Sequence, residues 1–309
     1  MPTLLITHPV CVEHDPGPYH PERPDRLTAI LKALEGEEFA LLDRREAPQA
    51  SLEQITRVHP KTYVESILSS VPSRGFRELD SDTVLSPESG EAALRAAGAV
   101  VAAVDAVARG EVRNAFCPVR PPGHHAEFTR AMGFCLFNNV GIGAYHARHA
   151  HNLRRVAVVD FDVHHGNGTQ HLFWDDAEMF YASTHQFPCY PGTGSPSERG
   201  ASHNIVNVPL SAGSDSNAFR RGVSEKILPA LRAFGPQFLM ISAGFDAHRR
   251  DPLASLNLVE ADFAWITEQL LLVAAESCKN RVVSVLEGGY DLIALAASVR
   301  VHVRALMGS

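Results

Sequence analysis

Seven short runs rich in apolar and β-branched residues punctuate the chain: TLLIT (3–7), NAFCPV (114–119), VAVVDF (156–161), MFYAS (179–183), IVNVPL (205–210), FLMISA (238–243) and VVSVLE (282–287). Runs of this length that stay apolar read as strands buried on both faces. Between several of them lie segments of helical composition: 88–109, rich in Ala and Val, then 138–151, 216–234, 260–277 and 291–306. Alternation of this kind predicts an α/β fold, a mostly parallel sheet flanked by helices, in one domain over residues 1–309. No repeat or low-complexity linker divides the chain. The turn-rich stretches 71–87 and 184–203 are expected to be loops, and loops of that length inside a compact domain usually carry function.

Composition narrows the class. With 309 residues and 45% hydrophobic content the chain can bury a large core. Its formal charge is −7, from 28 Lys and Arg against 35 Asp and Glu, and no basic run gives a footprint for DNA or RNA. Five cysteines, Cys11, Cys117, Cys135, Cys189 and Cys278, are scattered with no Cys-x-x-Cys pair. They point to a reducing compartment and away from a cysteine zinc site. The start, MPTLLITHPV, carries no basic leader, and no apolar run reaches the ~20 residues of a membrane span. A soluble, cytoplasmic protein without a membrane or nucleic-acid partner is expected.

The polar clusters then place the chemistry. Four of the apolar runs end in them: 114–119 leads into RPPGHHAE, 156–161 into DFDVHHGNGT, 238–243 into SAGFDAHRRDP and 282–287 into EGGYD. In open parallel sheets the ligand site lies beyond the carboxyl ends of the strands. If the second run continues as extended chain, Asp160, Asp162 and His164 share a face, because alternate residues of a strand point the same way. Alone, Asp162 or His164 would be an ordinary hydrogen-bonded strand end. A carboxylate and an imidazole two residues apart also suit one cation, with Asp246, after another core run, as third ligand. Three ligands leave a position open for water, as a catalytic zinc site requires; ferrous iron is the alternative. His124 and His125 supply imidazoles near the working pH for a general base, with Asp160 and Asn167 to fix their tautomers. Tyr290, after two glycines, is placed to meet a developing oxyanion. His146, His149 and His151 lie on a segment of helical composition and read as its solvated side rather than a second metal site. His8, His14 and His20 fall in loops that border the site, without an assigned role.

The ordered motifs YHPERPDRL, RPPGHHA, GFCLFNN, DFDVHHGNGT, STHQFPCYPGTG, SAGFDAHRRDPL and EGGYD closely resemble those of the zinc-dependent histone deacetylase family. They look most like its class II branch and the related prokaryotic deacetylases and acetylpolyamine amidohydrolases. The resemblance runs from about His20 to Tyr290. It implies an arginase/deacetylase fold with a central eight-stranded parallel sheet, and hydrolysis of acetylated amines. By motif it makes Asp162, His164 and Asp246 the zinc ligands and His125 the general base and then acid. His124 becomes an electrostatic partner held by Asp160, and Tyr290 the carbonyl polariser. Asn167 stands where class I members carry Asp. Phe134 and Tyr190 fall at the two aromatic walls of the family's acyl-lysine tunnel, the second usually Phe, and Gly133 beside the scissile amide. A structural potassium ion is implied at the Asp160 and Ser183 side chains and the backbone carbonyls of Asp162, His164 and Thr184.

Acetyl-lysine in peptides or proteins is the expected substrate, since a neutral acyl-lysine enters an aromatic tunnel that a charged lysine would not. Leu253, in the segment that borders the family's tunnel mouth, is apolar, and Arg249 and Arg250 add positive charge there, which disfavours acetylated polyamines. Three rivals compete: a two-manganese ureohydrolase, an inactive acetyl-lysine binding module, and a polyamine deacetylase. Gly244 stands where the first would need a second carboxylate. Homo-oligomerisation stays open.

Overall fold

The computed structural model describes residues 1–308. Eight strands form one sheet: β1 (Thr3–Thr7), β2 (Asp43–Glu46), β3 (Asn114–Cys117), β4 (Val156–Asp160), β5 (Met179–Gln186), β6 (Ile205–Leu210), β7 (Phe238–Ala243) and β8 (Val282–Leu286). Their order across the sheet is β2-β1-β3-β8-β7-β4-β5-β6, and every neighbouring pair is parallel. The apolar runs forecast seven of these strands, all flanked and largely buried because helices cover both faces.

The main helices are α1 (Asp25–Ala33), α2 (Ser89–Ala108), α3 (Asn139–His151), α4 (Asn167–Phe173), α5 (Glu260–Ser277) and α6 (Leu292–Met307). A further helical segment over 216–234 is interrupted by a π-turn at Val223–Ile227. One apolar cluster joins Val100 and Val104 of α2 and Val140 and Ala144 of α3 to Val156, Val158 and Met240 of the sheet. Another packs Phe263 and Ile266 of α5 and Leu295 and Val299 of α6 against Val159, Ile241 and Leu286. The predicted two-sided α/β layering therefore holds.

Three elements differ from expectation. β2, sequence DRRE, has no apolar residue, yet pairs with β1 as an edge strand. Main-chain bonding defines it, and its outward side chains ion-pair instead, Arg45 with Asp43 and Glu111. β5 runs on through Thr184, His185 and Gln186, all buried, so the loop expected from 184 starts after Gln186. The stretch 71–87 is a loop carrying a two-stranded ribbon, Arg77–Glu78 with Val84–Leu85. Among the described residues no helix is long and apolar enough to cross a membrane.

Candidate active site

The four strands that end in polar motifs, β3, β8, β7 and β4, are the four central neighbours of the sheet. Their carboxyl ends therefore open onto one point, and residues far apart in sequence meet there.

The segment after β4 brings Asp162 and His164 together by a route other than extended chain. The strand stops at Asp160, and the next residues bend. The Asp162 N–H donates to Asp160 Oδ1 (3.1 Å) and the His164 N–H to Asp162 Oδ1 (2.9 Å). Two successive turns of this kind, each closed by an aspartate, fold the segment so that residues two apart still converge. His164 Nδ1 lies 3.2 Å from Asp162 Oδ1 and 3.1 Å from Asp246 Oδ2. The other hydrogen bonds to the two carboxylates come from main-chain N–H groups: Gly288 donates to Asp162 Oδ2 (2.7 Å) and Val163 to Asp246 Oδ1 (2.8 Å). A Cβ on Gly244 would stand 2.1 Å from Asp162 Oδ2, so no second carboxylate fits at that position.

Two buried carboxylates this close repel each other; burial and the Asp162 charge push the Asp246 carboxyl up to about 6. A divalent ion resolves that conflict, and donor atoms ~3.2 Å apart match ligands held at ~2 Å from one centre. The donor set thus fits a single ion.

His124 and His125 stand beside it with ring centroids 4.0 Å apart. His124 Nδ1 is 2.9 Å from Asp160 Oδ2, and His125 Nδ1 is 2.8 Å from Asn167 Oδ1. The pair is electrostatically unequal. Burial alone would lower both, but Asp160, Asp162 and Glu287 push His124 up to about 10. Burial, with the positive charges of His124 and His164, holds His125 well below its ordinary value. One imidazole is therefore a standing cation and the other a neutral base.

Tyr290 follows β8 on a turn supported from beneath. Its N–H donates to Asp251 Oδ2 (2.8 Å), and Arg26 donates to Gly289 O (2.6 Å) and Glu287 O (2.5 Å) with its guanidinium 4.8 Å over the Tyr290 ring. Glu22, between Arg26 and Arg120, completes a buried charge network. Burial and the carboxylates of Asp246 and Asp162 keep the phenol well above its ordinary value despite Arg26, so it remains a donor.

Phe134 packs edge-on to Tyr290 at 5.9 Å and Tyr190 edge-on to His125 at 5.2 Å, which puts one aromatic beside the tyrosine and the other beside the base. Gly133 has φ 57°, and a Cβ there would meet His125 Cδ2 at 2.4 Å. Leu253 is partly exposed and joined to the tyrosine turn through Asp251, whose Oδ1 accepts its N–H (3.0 Å). Ser183 lies opposite Asp160 in the β4–β5 register, with Thr184 buried beside it.

Several contributors escaped sequence reasoning. Glu287 accepts the N–H groups of Gly123 (2.7 Å) and His124 (3.2 Å) and so anchors the dyad loop. Tyr181 gives its hydroxyl to Asp160 Oδ2 (3.1 Å). Tyr181 sits inside β5 and Glu287 directly after β8, where a single polar side chain turned inward leaves no spacing signal. Asp82 accepts the Gly133 N–H (3.0 Å), so a carboxylate does border the aromatic pair, and Arg250 is matched by Asp291 at 3.3 Å. The rim expected to disfavour polyamines, apolar at Leu253 and basic at Arg249 and Arg250, thus also carries a carboxylate from the distant 71–87 loop. His20 stacks edge-on to Phe134 at 4.7 Å, whereas His14 is buried against Ser89 and Glu22.

His146 and His151 are not the solvated surface expected of them. Asp105 Oδ1 lies 2.8 Å from His146 Nε2 and 2.6 Å from His151 Nε2, and His146 is buried where α2 packs on α3. Arg57 donates to His146 Nδ1 (2.8 Å), which fixes the proton on Nε2. The three can be grouped as metal donors, but that proton already points at Asp105 and the spacing is that of hydrogen bonds.

Comparison with known proteins agrees with this geometry. Residues 20–306 match the family model described as histone deacetylase domain. Histone deacetylase 14, chloroplastic, of Arabidopsis thaliana is 40% identical, covering 94% of this chain and 73% of the relative. The histone deacetylase-like amidohydrolase of Pseudomonas aeruginosa is 39% identical over 94% of this chain and 82% of its own. The crystal structure of the HDA15 HD domain superposes with a TM-score of 0.94 at 34% identity, covering 100% of this chain and 89% of that one.

Proposed function

The chain belongs to the histone deacetylase family, and from that premise we propose that it is a zinc-dependent hydrolase removing acetyl or other acyl groups from lysine side chains in peptides or proteins. The observation that carries this reading is the convergence of Asp162, His164 and Asp246 beside a neutral His125. Two carboxylates make a harder donor set than three imidazoles, so ferrous iron is the competing occupant. A divalent ion here would polarise the amide carbonyl and acidify the attacking water.

The chain's own groups do the rest. His125, neutral and with its Nδ1 proton given to Asn167, offers Nε2 to take the proton from the attacking water. His124, cationic against Asp160, adds positive charge beside the developing oxyanion. Tyr290, protonated, donates a hydrogen bond to that oxygen. His125 then returns the proton to the leaving amine, and Phe134 and Tyr190 flank the neutral acyl-lysine stem. We place a structural potassium ion at Asp160 and Ser183 with the carbonyls of Asp162, His164 and Thr184. The free cysteines suit a reducing compartment such as the cytoplasm.

A second reading, deacetylation of acetylated polyamines, is favoured by Asp82 beside Gly133, a carboxylate that would meet an ammonium group. The primary reading is tested by Asp246→Ala. This variant should lose bound zinc in metal analysis and all acetate release while keeping the wild-type circular dichroism. Retention of one tightly bound zinc would refute the ligand assignment.

A further inference from the structure

We propose that Glu127 is a positioning residue for the base: it sets the orientation of the Asn167 amide, and through it the tautomer of His125. The inference rests on reading His125 as the base. An asparagine amide presents an acceptor oxygen on one side and a donor nitrogen on the other, and exchanging the two costs little unless its partners forbid it. If Asn167 turned, its NH2 would face His125 Nδ1 and favour the tautomer carrying its proton on Nε2. That is the nitrogen that must be bare to accept a proton from water.

Glu127 removes the ambiguity. Its Oε1 lies 2.6 Å from Asn167 Nδ2, and a carboxylate can only accept, so the amide nitrogen must point there and the oxygen at His125. The other neighbours of Nδ2 are weaker, the His125 carbonyl at 3.4 Å and the Met132 sulfur at 3.5 Å. Glu127 is itself held at both ends. His171 Nδ1 is 2.7 Å from its Oε2, and its own N–H bonds to Arg130 O at 2.9 Å. A carboxylate at position 167 would need no such guide, since either oxygen accepts from His125. The guide is needed because this chain has an amide there.

That dependence gives the test. Glu127→Ala should lower kcat about tenfold or more with KM and metal content unchanged, the scale of a lost group that orients a catalytic histidine. In the Asn167→Asp background the same substitution should cost under about threefold, or raise kcat by removing a charge beside the new carboxylate. Independently of turnover, imidazole 15N spectra of zinc-loaded Glu127→Ala protein should show His125 gaining the Nε2–H tautomer. Equal losses in both backgrounds, or an unchanged His125 spectrum, would overturn the proposal. Should His125→Ala keep wild-type turnover while the tautomer shift in Glu127→Ala persists, the positioning stands and the base assignment falls.

Discussion

At the residue scale the account divides the two adjacent histidines by environment. His124 lies against Asp160 and is charged at neutral pH; His125 lies against Asn167 and is not. His125→Ala should therefore lower kcat by roughly 100-fold or more with bound metal intact, the usual scale for a lost general base. Tyr290→Phe should do the same by removing an oxyanion donor. Steady-state kinetics with metal analysis on the same preparations check both, and wild-type turnover by either would remove that residue from the mechanism. These residues were legible because each ends an apolar run in a cluster too polar to be core. Glu127 was not, although it closes the RPPGHHAE motif, because its role depends on which atom of a distant amide faces it. His146 and His151 misled for a related reason: one buried and one half-buried, both are satisfied by one carboxylate from the helix α2, a partner that spacing within α3 cannot reveal.

At the element scale, apolar runs located every strand but one, the edge strand β2. β2 is charged throughout because an edge strand needs only its neighbour's main chain. The turns after β4 show a second limit, since hydrogen bonds to the preceding aspartates, and not strand periodicity, bring the donors together. Helix α6 carries a feature with a consequence for stability. His302 is fully buried between Thr267 Oγ1 (2.7 Å) of α5 and Ser284 Oγ (2.8 Å) of β8, and burial pushes it down to about 3. Its folded value lies below the unfolded ~6.5, so the folded state binds fewer protons. The stabilisation is complete above that unfolded value and is lost as pH falls toward 3, at about 1.4 kcal/mol per pH unit. Between pH 6.5 and 5, urea unfolding should show the wild type losing about 1.6 kcal/mol more than His302→Gln. Parallel pH dependences of the two proteins would show that His302 does not titrate with unfolding.

At the scale of the whole molecule, strand order is what assembles the site: β3, β8, β7 and β4 come from four separate stretches of chain and lie side by side. The rim is built differently, from loops that approach through space, so Asp82 could not be placed from the sequence around Leu253. With Leu253 apolar and Arg250 already matched by Asp291, Asp82 is the carboxylate that a polyamine would have to use. Acetyl-lysine peptides should still show higher kcat/KM than acetylspermidine or acetylputrescine, and Leu253→Glu should shift the ratio toward the polyamines. A tenfold or greater preference of the unmodified protein for acetylpolyamines would reverse the substrate assignment. The central claim is hydrolysis that depends on one ion at Asp162, His164 and Asp246. It is tested most directly by stripping the protein of metal and titrating zinc back while measuring acetate release from an acetyl-lysine peptide. The account predicts no turnover without metal and a linear rise that levels at one equivalent. Turnover by the metal-free protein, or activity that appears only at two equivalents, would contradict it.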